Sequence, residues 1–449
     1  MKNLFIKNFG CQMNLYDAGR ITDLLAKSHG LTLVSTPEAA DLIVFNTCHI
    51  REKAEEKLFS ELGRMRKLVQ QRAQGDDGEV VFAVGGCVGQ AEGMEIFRRA
   101  PFVDVVFGPQ NYHELPQMLD RLAQRQQKIC ATSTHATDKF DHLPATGQSG
   151  PIAMVTIQEG CNRYCSYCVV PHTRGPEWSR PVADVLDEIA VCLSQGAVEI
   201  QLLGQNVTTY KAMDSDGTIH DLALLIRRVA LLEGVRRIRF ITSHPADMND
   251  DLVELFAELP ELCPYMHLPI QSGSDAILRA MERGHTVADY RQWAEKLRRV
   301  HPEMALASDF IVAFPGETEQ DFQATLALIE ELRFDHAYSF LFSSRPGTKA
   351  ASMVPAVPLA VGQQRLADLQ DTLNRIQLEN NRQQVGKREE ILVEKQSRTG
   401  QGLLSGRTRG NRWVNIPGPR EWIGRLLEVE IVEGFPNSLK GCVLPERVV

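Results

Sequence analysis

The amino-acid sequence predicts an α/β protein in three parts: an N-terminal open parallel α/β sheet domain, a central partial (βα)6 barrel and a small C-terminal all-β barrel. Three observations predict it. β-rich runs alternate with helical periods through residues 1–130, and the alternation begins again at residue 152 and runs to residue 342. Residues 131–150, ATSTHATDKFDHLPATGQSG, are polar and turn-rich without a period, and read as a linker between the two series. After residue 386 the pattern changes to short strands broken by Gly and Pro. A chain of 449 residues has room for about three domains, and the boundaries expected are 1–135, 150–380 and 383–447.

Bulk composition narrows the class. The 43% apolar content is ordinary for cores of this size. The opening MKNLFIKNFG has neither a signal-peptide apolar core nor an amphipathic leader, and no apolar run approaches the ~18 residues a membrane span needs. A cytoplasmic protein with no membrane contact is therefore expected, with its ten cysteines as reduced thiols or metal ligands rather than crosslinks. A net charge of −8 argues against coating nucleic acid with the whole surface, so any RNA contact must come from a local basic patch.

Each element of the first series follows from local chemistry. LFIKNFG leads to Cys11, and a helical stretch follows to about Ser28, stopped by Gly30. DLIVFNT leads to Cys48 and the helical REKAEEKLFSELGRMRKL; VVFAVGG leads to Cys87; FVDVVFG leads to a helix near residues 115–126. Such alternation builds an open parallel sheet, and right-handed crossovers bring the carboxyl ends of its strands to one edge. Cys11, Cys48 and Cys87 all occupy such ends, where open α/β sheets bind ligands. A lone cysteine reads as a small buried hydrophobe. Three at one structural position read as ligands of a four-iron cluster. Cys130, Cys192, Cys263 and Cys442 have no such placement and are expected only to pack.

The second series places strands at residues 152–158, 198–203, 236–242, 265–268, 307–313 and 337–342, with helical stretches at 182–194, 222–232, 286–300 and 319–332 among those between them. Six βα units fit a partial barrel better than a closed eight-unit one, and the open side would admit a large substrate. Four strand ends carry small or polar residues: Gly204-Gln205-Asn206, Thr242-Ser243-His244-Pro245, Gln271-Ser272-Gly273 and Phe314-Pro315-Gly316-Glu317. Any one of them fits turn chemistry. Together they sit where barrel enzymes make ligand contacts.

The loop at residues 158–174, QEGCNRYCSYCVVPHTR, sets Cys161, Cys165 and Cys168 three and then two residues apart. Three thiolates on a four-iron cluster leave one iron without a protein ligand. S-adenosylmethionine (SAM) can chelate that iron, and an electron from the cluster can break its sulfonium bond to give a 5′-deoxyadenosyl radical. Cys-x3-Cys-x2-Cys is the signature of the radical-SAM enzymes, and Tyr167 resembles the aromatic residue that lies against the adenine of SAM in that superfamily. With His172 four residues after Cys168, the same loop also fits a structural Cys3His zinc site.

Residues 361–386 form a long polar helical stretch ahead of the C-terminal strands EEILVEKQ, QGLLSGR, RWVNIPG, LLEVEIVEG and GCVLPE. Between residues 395 and 412 stand Lys395, Arg398, Arg407, Arg409 and Arg412 with no acidic residue. Such a run is often a solvated face. With Asn411 and Trp413 beside it on a small barrel, it reads as a nucleic-acid surface, because Arg positions phosphates and aromatics stack on bases.

The combined motifs resemble the radical-SAM methylthiotransferases over nearly the whole chain. The matching stretches are GCQMN at 10–14, NTCHIREKAEEK at 46–57, GGC at 85–87, QEGCNRYCSYCVVPHTRG at 158–175, LLGQNV at 202–207, SHP at 243–245, HLPIQSGS at 267–274, SDFIVAFPGET at 308–318, RPGT at 345–348 and GRTRGNRWV at 406–414. The resemblance implies an N-terminal methylthiotransferase domain with an auxiliary cluster, a radical-SAM core and a tRNA-gripping TRAM domain. It thus implies two 4Fe-4S clusters and SAM as cofactors. Cys161, Cys165 and Cys168 would hold the radical-SAM cluster, and Cys11, Cys48 and Cys87 the sulfur-supplying one. SAM contacts are expected from Tyr167, Gly204, Gln205, Asn206, Ser243, Gln271 and Ser272.

GCQMN and NTC-x-IREKA point to the dimethylallyladenosine branch of the family, which implies methylthiolation at C2 of N6-dimethylallyladenosine at position 37 of tRNA, immediately 3′ of the anticodon. The alternatives are the same chemistry on N6-threonylcarbamoyladenosine or on a ribosomal-protein side chain, and, at the level of class, a non-catalytic metal-containing RNA-binding protein. A reductant protein, an iron–sulfur or sulfur donor and a monomeric state complete the expectation. The chain departs from the family pattern at Ala18-Gly19-Arg20 after Asp17 and at Pro176.

Overall fold

In the computed structural model, the structure describes residues 1–48, 54–72, 80–125, 127–134, 139–214, 217–398, 400 and 402–448. It divides into two compact units. One is residues 1–148 with segments 158–162 and 168–178; the other is 149–157, 163–167 and 179–449.

The first unit is the expected parallel sheet. Its elements run β1 Asn3–Asn8, α1 Gln12–His29, β2 Thr32–Leu33, β3 Leu42–Thr47, α2 Ala54–Arg72, β4 Val81–Gly86, α3 Cys87–Glu92, α4 Glu95–Arg99, β5 Val105–Phe107, α5 Leu115–Arg125 and β6 Ile129–Ala131. The spatial order is β2-β1-β3-β4-β5-β6, every pairing parallel. Helices cover both faces, as an all-parallel sheet requires. Alternation along β3 sends Ile43 and Phe45 into the core with Leu58 and Leu62 of α2, and Leu42 and Val44 into the core with Ile21 of α1 and Leu119 of α5. Helix α6, Val170–Thr173, and the two-residue strand Gln158–Glu159 also belong to this unit.

Of the linker expected at residues 131–150, the described residues up to Gln148 are a built part of the first unit. Ala131 ends β6, Lys139 and Thr146 are buried, and Phe140 stacks on Trp178 at 5.4 Å. Lys139 is held by pairing with Glu159 rather than by any periodic apolar pattern, so polarity alone misread it. Residues 135–138 and 49–53, which include part of the expected second helix, lie outside the described residues.

The second unit opens with β7 Ile152–Thr156, α7 Val182–Ser194, β8 Glu199–Leu203, α8 Leu222–Ala230, β9 Arg237–Ile241, α9 Asp250–Glu258, β10 Tyr265–His267, α10 Asp275–Ala280, α11 Val287–Val300, β11 Ala305–Val312, α12 Glu319–Leu332 and β12 His336–Leu341. Strands β7–β8–β9 and β10–β11–β12 pair in parallel in sequence order. A bridge from Ile238 to Leu262, with Cys263 N donating to Ile238 O at 3.0 Å, joins the two sets. Among the described residues β7 and β12 do not pair, so the six βα units form the expected partial barrel. A short antiparallel hairpin, Lys211–Met213 with Ile219–Asp221, is an addition; its strands are too short to show alternation in sequence.

Helix α13, Leu359–Arg382, leads into a closed five-stranded barrel of β13 Arg388–Gln396, β14 Leu403–Thr408, β15 Trp413–Pro417, β16 Leu426–Gly434 and β17 Leu439–Val448, in the order β13-β14-β15-β17-β16. Two buried arginines of β9 seat it on the larger barrel. Arg237 donates to Glu390 Oε1 and O, both at 2.8 Å, and to Arg407 O at 2.9 Å; Arg239 donates to Thr408 O and Arg409 O, both at 2.8 Å, and to Glu199. Among the described residues, no helix is long and apolar enough to cross a membrane.

His336, at the start of β12, is partly buried at this junction, with Nε2 3.3 Å from Gly410 O. Burial lowers its pKa to about 4, while Asp335 opposes that shift and Arg412 and Arg239 reinforce it. The folded state therefore takes up this proton later than the unfolded chain, whose histidine titrates near 6.5. The associated stability is present at pH 7 and is lost as pH falls from about 6.5 to about 4. His336→Gln, which keeps a donor for Gly410 O, is expected to reduce the loss of denaturation free energy between pH 7 and pH 5 by roughly 1–2 kcal/mol in urea titrations.

Candidate active site

Cys11 caps α1, Cys48 follows β3 and Cys87 opens α3 directly after β4. Strands β1, β3 and β4 are neighbours, so the three cysteines stand at one edge of the sheet. Close backbone approach makes this possible. Gly10 has φ +136°, and a Cβ there would lie 2.3 Å from Cys48 Cβ; Gly86 has φ +86°, and a Cβ there would lie 2.3 Å from Thr47 O. Buried Asn14 ties the strand ends together, donating to Thr47 O at 3.0 Å while Asn46 donates to Asn14 O at 2.7 Å. The Cys11 thiol hydrogen-bonds to Cys48, which, with further help from Arg174 and the amides of Asn14 and Met13, outweighs burial and draws its pKa down to about 6. Burial instead pushes the Cys87 thiol up, partly offset by Arg174.

Beside these thiols lies a buried charge quartet the sequence did not reveal. Arg174 donates to Glu159 Oε2 and Asp17 Oδ2, each at 2.9 Å, and Lys139 pairs with the other oxygen of Glu159. Gln110 donates to Glu159 at 3.1 Å and to Arg174 O at 3.0 Å. Two cations balance two carboxylates with almost no water contact. Burial acts to raise Glu159, but Lys139 and Arg174 prevail and hold it at about 2; at Asp17 burial prevails and the pKa rises. Asp17 is thus a ligand of Arg174, and the Ala18-Gly19-Arg20 departure leaves that contact in place. Pro176 likewise keeps a backbone role, since its carbonyl lies where a Cβ on Gly160 would be.

In the loop at residues 158–174, Cys161 and Cys168 are partly buried and Cys165 is buried. Arg283 Nη1 approaches Cys165 Sγ at 3.5 Å. Ser166 N donates to Met281 O at 3.0 Å, and Ala350 N donates to Ser166 O at 2.8 Å, which fixes the middle of the loop. Tyr167 packs against Ile277, Met281, Phe314 and Ala350. Of the strand-end residues, Gly204 is buried, Gln205 is partly buried, and Asn206 donates to Asp247 at 2.8 Å. Gln271 has φ +80° and bridges two backbone groups of β11, while Ser272 is drawn into its own turn by Ser274 N and Thr325.

Among the described residues, the buried polar atoms of this barrel without a hydrogen-bond partner include Ser243 Oγ, His244 Nε2, His267 Nδ1 and His285 Nε2. Burial holds His244 far below its usual range and His285 at about 4, so both rings are neutral at pH 7. Orphaned donors and acceptors of this kind fit a polar ligand such as the amino, carboxylate and hydroxyl groups of SAM. Of this set the strand-end reading included Ser243 and His244 and expected only Ser243 to contact SAM; His267 stood in the quoted HLPIQSGS stretch, and His285 lay in none of the quoted stretches. His172, the proposed fourth zinc ligand, is exposed. Among the described residues no three His, Cys, Asp or Glu side chains close on a single point, as one tetrahedral ion would need.

The basic run of the small barrel is divided. Lys395 and Arg398 are exposed, with Lys395 Nζ 4.2 Å from the centre of the Trp413 ring. Arg407 bonds to Glu394 and Asn411, Arg412 pairs with Asp335, and Arg409 donates to the carbonyls of Pro260 and Leu262. These three guanidinium groups are therefore engaged by the protein itself rather than presented as a phosphate-binding face. Their partners lie far off in sequence, which a local charge count does not register.

Comparison with known proteins agrees with this architecture. The Radical SAM superfamily profile matches residues 155–329, the uncharacterized protein family UPF0004 matches 3–108, and the TRAM domain matches 382–444. The tRNA-2-methylthio-N(6)-dimethylallyladenosine synthase of Magnetococcus marinus is 59% identical over 98% of this chain and 99% of that one. The chain belongs to this synthase family. The Methylococcus capsulatus synthase is 49% identical over 98% of this chain and 95% of its own. Among solved structures, the radical SAM methyltransferase TsrM from Kitasatospora setae superposes with a TM-score of 0.55 at 12% identity, covering 78% of this chain and 75% of that one, a likeness of fold. Membership of the synthase family makes the protein a radical-SAM enzyme with SAM and an iron–sulfur cofactor.

The charge quartet gives a direct expectation. Lys139→Met leaves Glu159 underpaired and should destabilise the first unit by about 3–5 kcal/mol. Lys139→Met with Glu159→Gln should recover part of that loss, as measured by chemical denaturation of the apoprotein.

Proposed function

We propose that this enzyme methylthiolates C2 of N6-dimethylallyladenosine at position 37 of tRNA, using two 4Fe-4S clusters and SAM. The observation that carries the reading is that the chain has two separate three-cysteine sets, one of them gathered at the sheet edge by Gly10, Asn14 and Gly86. The names of its close relatives state the nucleoside.

The C2–H of adenine is neither acidic nor activated toward electrophiles, so side-chain acids, bases and nucleophiles do not replace it at useful rates. When bound, the cofactors supply a primary carbon radical able to take that hydrogen, and sulfur to replace it. The chain's own work is binding, orientation and exclusion of water. Cys161, Cys165 and Cys168 hold the radical-generating cluster, with Arg283 beside the Cys165 sulfur. Tyr167 closes one side of the loop, while Ser243, His244, His267 and His285 offer buried polar atoms to SAM, alongside Gly204, Gln205, Asn206, Gln271 and Ser272 at neighbouring strand ends. Because His244 and His285 are neutral, they donate or accept without adding charge to the site. Cys11, Cys48 and Cys87 hold the sulfur-supplying cluster.

The target base must leave the stack of the anticodon loop to reach such a site, as sequence-specific RNA recognition commonly requires. Lys395, Arg398 and Trp413 on the small barrel are the groups best presented to tRNA. A reductant protein and a sulfur donor are needed for turnover, and the enzyme acts as a cytoplasmic monomer.

Two measurements test this. Cys48→Ala, or Gly10→Ala, which would drive a Cβ into Cys48, should still cleave SAM on reduction and still bind tRNA. Mass spectrometry of digested tRNA should then find only the unthiolated nucleoside; near-normal methylthiolated product from Cys48→Ala would exclude the second-cluster assignment. In salt titrations of tRNA binding, Lys395→Ala and Arg398→Ala should each lower the log–log slope by roughly one.

A further inference from the structure

Arg174 does more than complete a buried ion network. Its side chain is 3% exposed, two of its N–H groups are taken by Asp17 and Glu159, and the guanidinium lies within hydrogen-bonding reach of Cys87 and beside Cys11. Lys139, the other cation of the quartet, is turned to Glu159 and Pro109 O. The backbone adds a second link. Arg174 directly follows α6, which begins two residues after Cys168 and packs against α3, the helix that opens with Cys87. The loop that carries a ligand of one cysteine set thus also carries the residue that grips a ligand of the other.

We propose that Arg174 is a positioning residue for the cluster at Cys11, Cys48 and Cys87, holding the Cys87 sulfur by a hydrogen bond and raising that cluster's reduction potential. The inference rests on the two-cluster reading above. A cluster ligated by thiolates gains negative charge on reduction, and burial penalises that charge unless a donor or cation faces it. A guanidinium donating to sulfur supplies both, and charge-assisted hydrogen bonds are the stronger kind. Asp17 acts in the opposite sense, because its carboxylate draws on the same guanidinium and adds negative charge near the thiols. Substitutions at the two positions should therefore move the potential in opposite directions. A purely structural loosening of the site would move it the same way in both.

The test uses the full-length chain with Cys161, Cys165 and Cys168 all replaced by Ala, reconstituted without oxygen, so that the second cluster alone is titrated by spectroelectrochemistry. Relative to this parent, Arg174→Gln is expected to shift the potential negative and Asp17→Asn to shift it positive. Arg174→Lys, which keeps the charge, should fall nearer the parent than Arg174→Gln. An unchanged potential in Arg174→Gln, or shifts of one sign in both variants, would overturn the inference. If Arg174→Gln does not retain iron, Asp17→Asn decides, since an unchanged or more negative potential there also overturns it. A parent that binds no cluster sinks the two-cluster reading and this inference together, whereas a bound cluster indifferent to Arg174 sinks the inference alone.

Discussion

Parallel strands joined by crossovers must all end at the same edge, and the placement of the N-terminal cysteines depends on that constraint. In the first unit it brings Cys11, Cys48 and Cys87 together from strands that are adjacent in space but well apart in sequence. Adjacency alone would not suffice, because ordinary side chains at the strand ends would hold the turns apart. Gly10 and Gly86 remove the Cβ atoms that would collide with Cys48 and Thr47 O, and Asn14 ties the ends with a side-chain hydrogen bond to Thr47 O. In the barrel the same constraint puts Ser243, His244 and His267 at the ends of successive strands β9 and β10.

Charge burial is the second theme. Ionised groups leave water at a cost of several kcal/mol each, repaid only with close partners and satisfied hydrogen bonds. The quartet of Asp17, Arg174, Glu159 and Lys139 meets that condition with Gln110 as a neutral donor. The two seated arginines of β9 meet it with two kinds of acceptor, the carboxylates of Glu390 and Glu199 and the backbone carbonyls of β14 and the turn after it. In both places the pairing also fixes geometry: a carboxylate or carbonyl accepts along restricted directions, so the guanidinium plane is set. For Arg174 that plane is set beside the cysteine sulfurs. For Arg237 and Arg239 it sets how the small barrel sits on the larger one.

Sequence by itself determined the element types, because strand and helix periods are local. Helices α7 and α12 fall at their expected bounds, and the barrel strands fall within two residues of theirs, where terminal hydrogen bonding alone decides. It also set two groups of cysteines apart from the rest, since spacing places Cys161, Cys165 and Cys168 on one loop and topology places Cys11, Cys48 and Cys87 at strand ends. The tertiary structure decided what the polar residues do. Lys139 in an apparent linker, Arg174 at the end of the cysteine loop and Arg407, Arg409 and Arg412 in an apparent basic face all have their roles set by partners distant in sequence. The physical reason is that apolar burial leaves a periodic trace along the chain, whereas a charged side chain takes its meaning from the single group it meets, and only folding brings that group within reach.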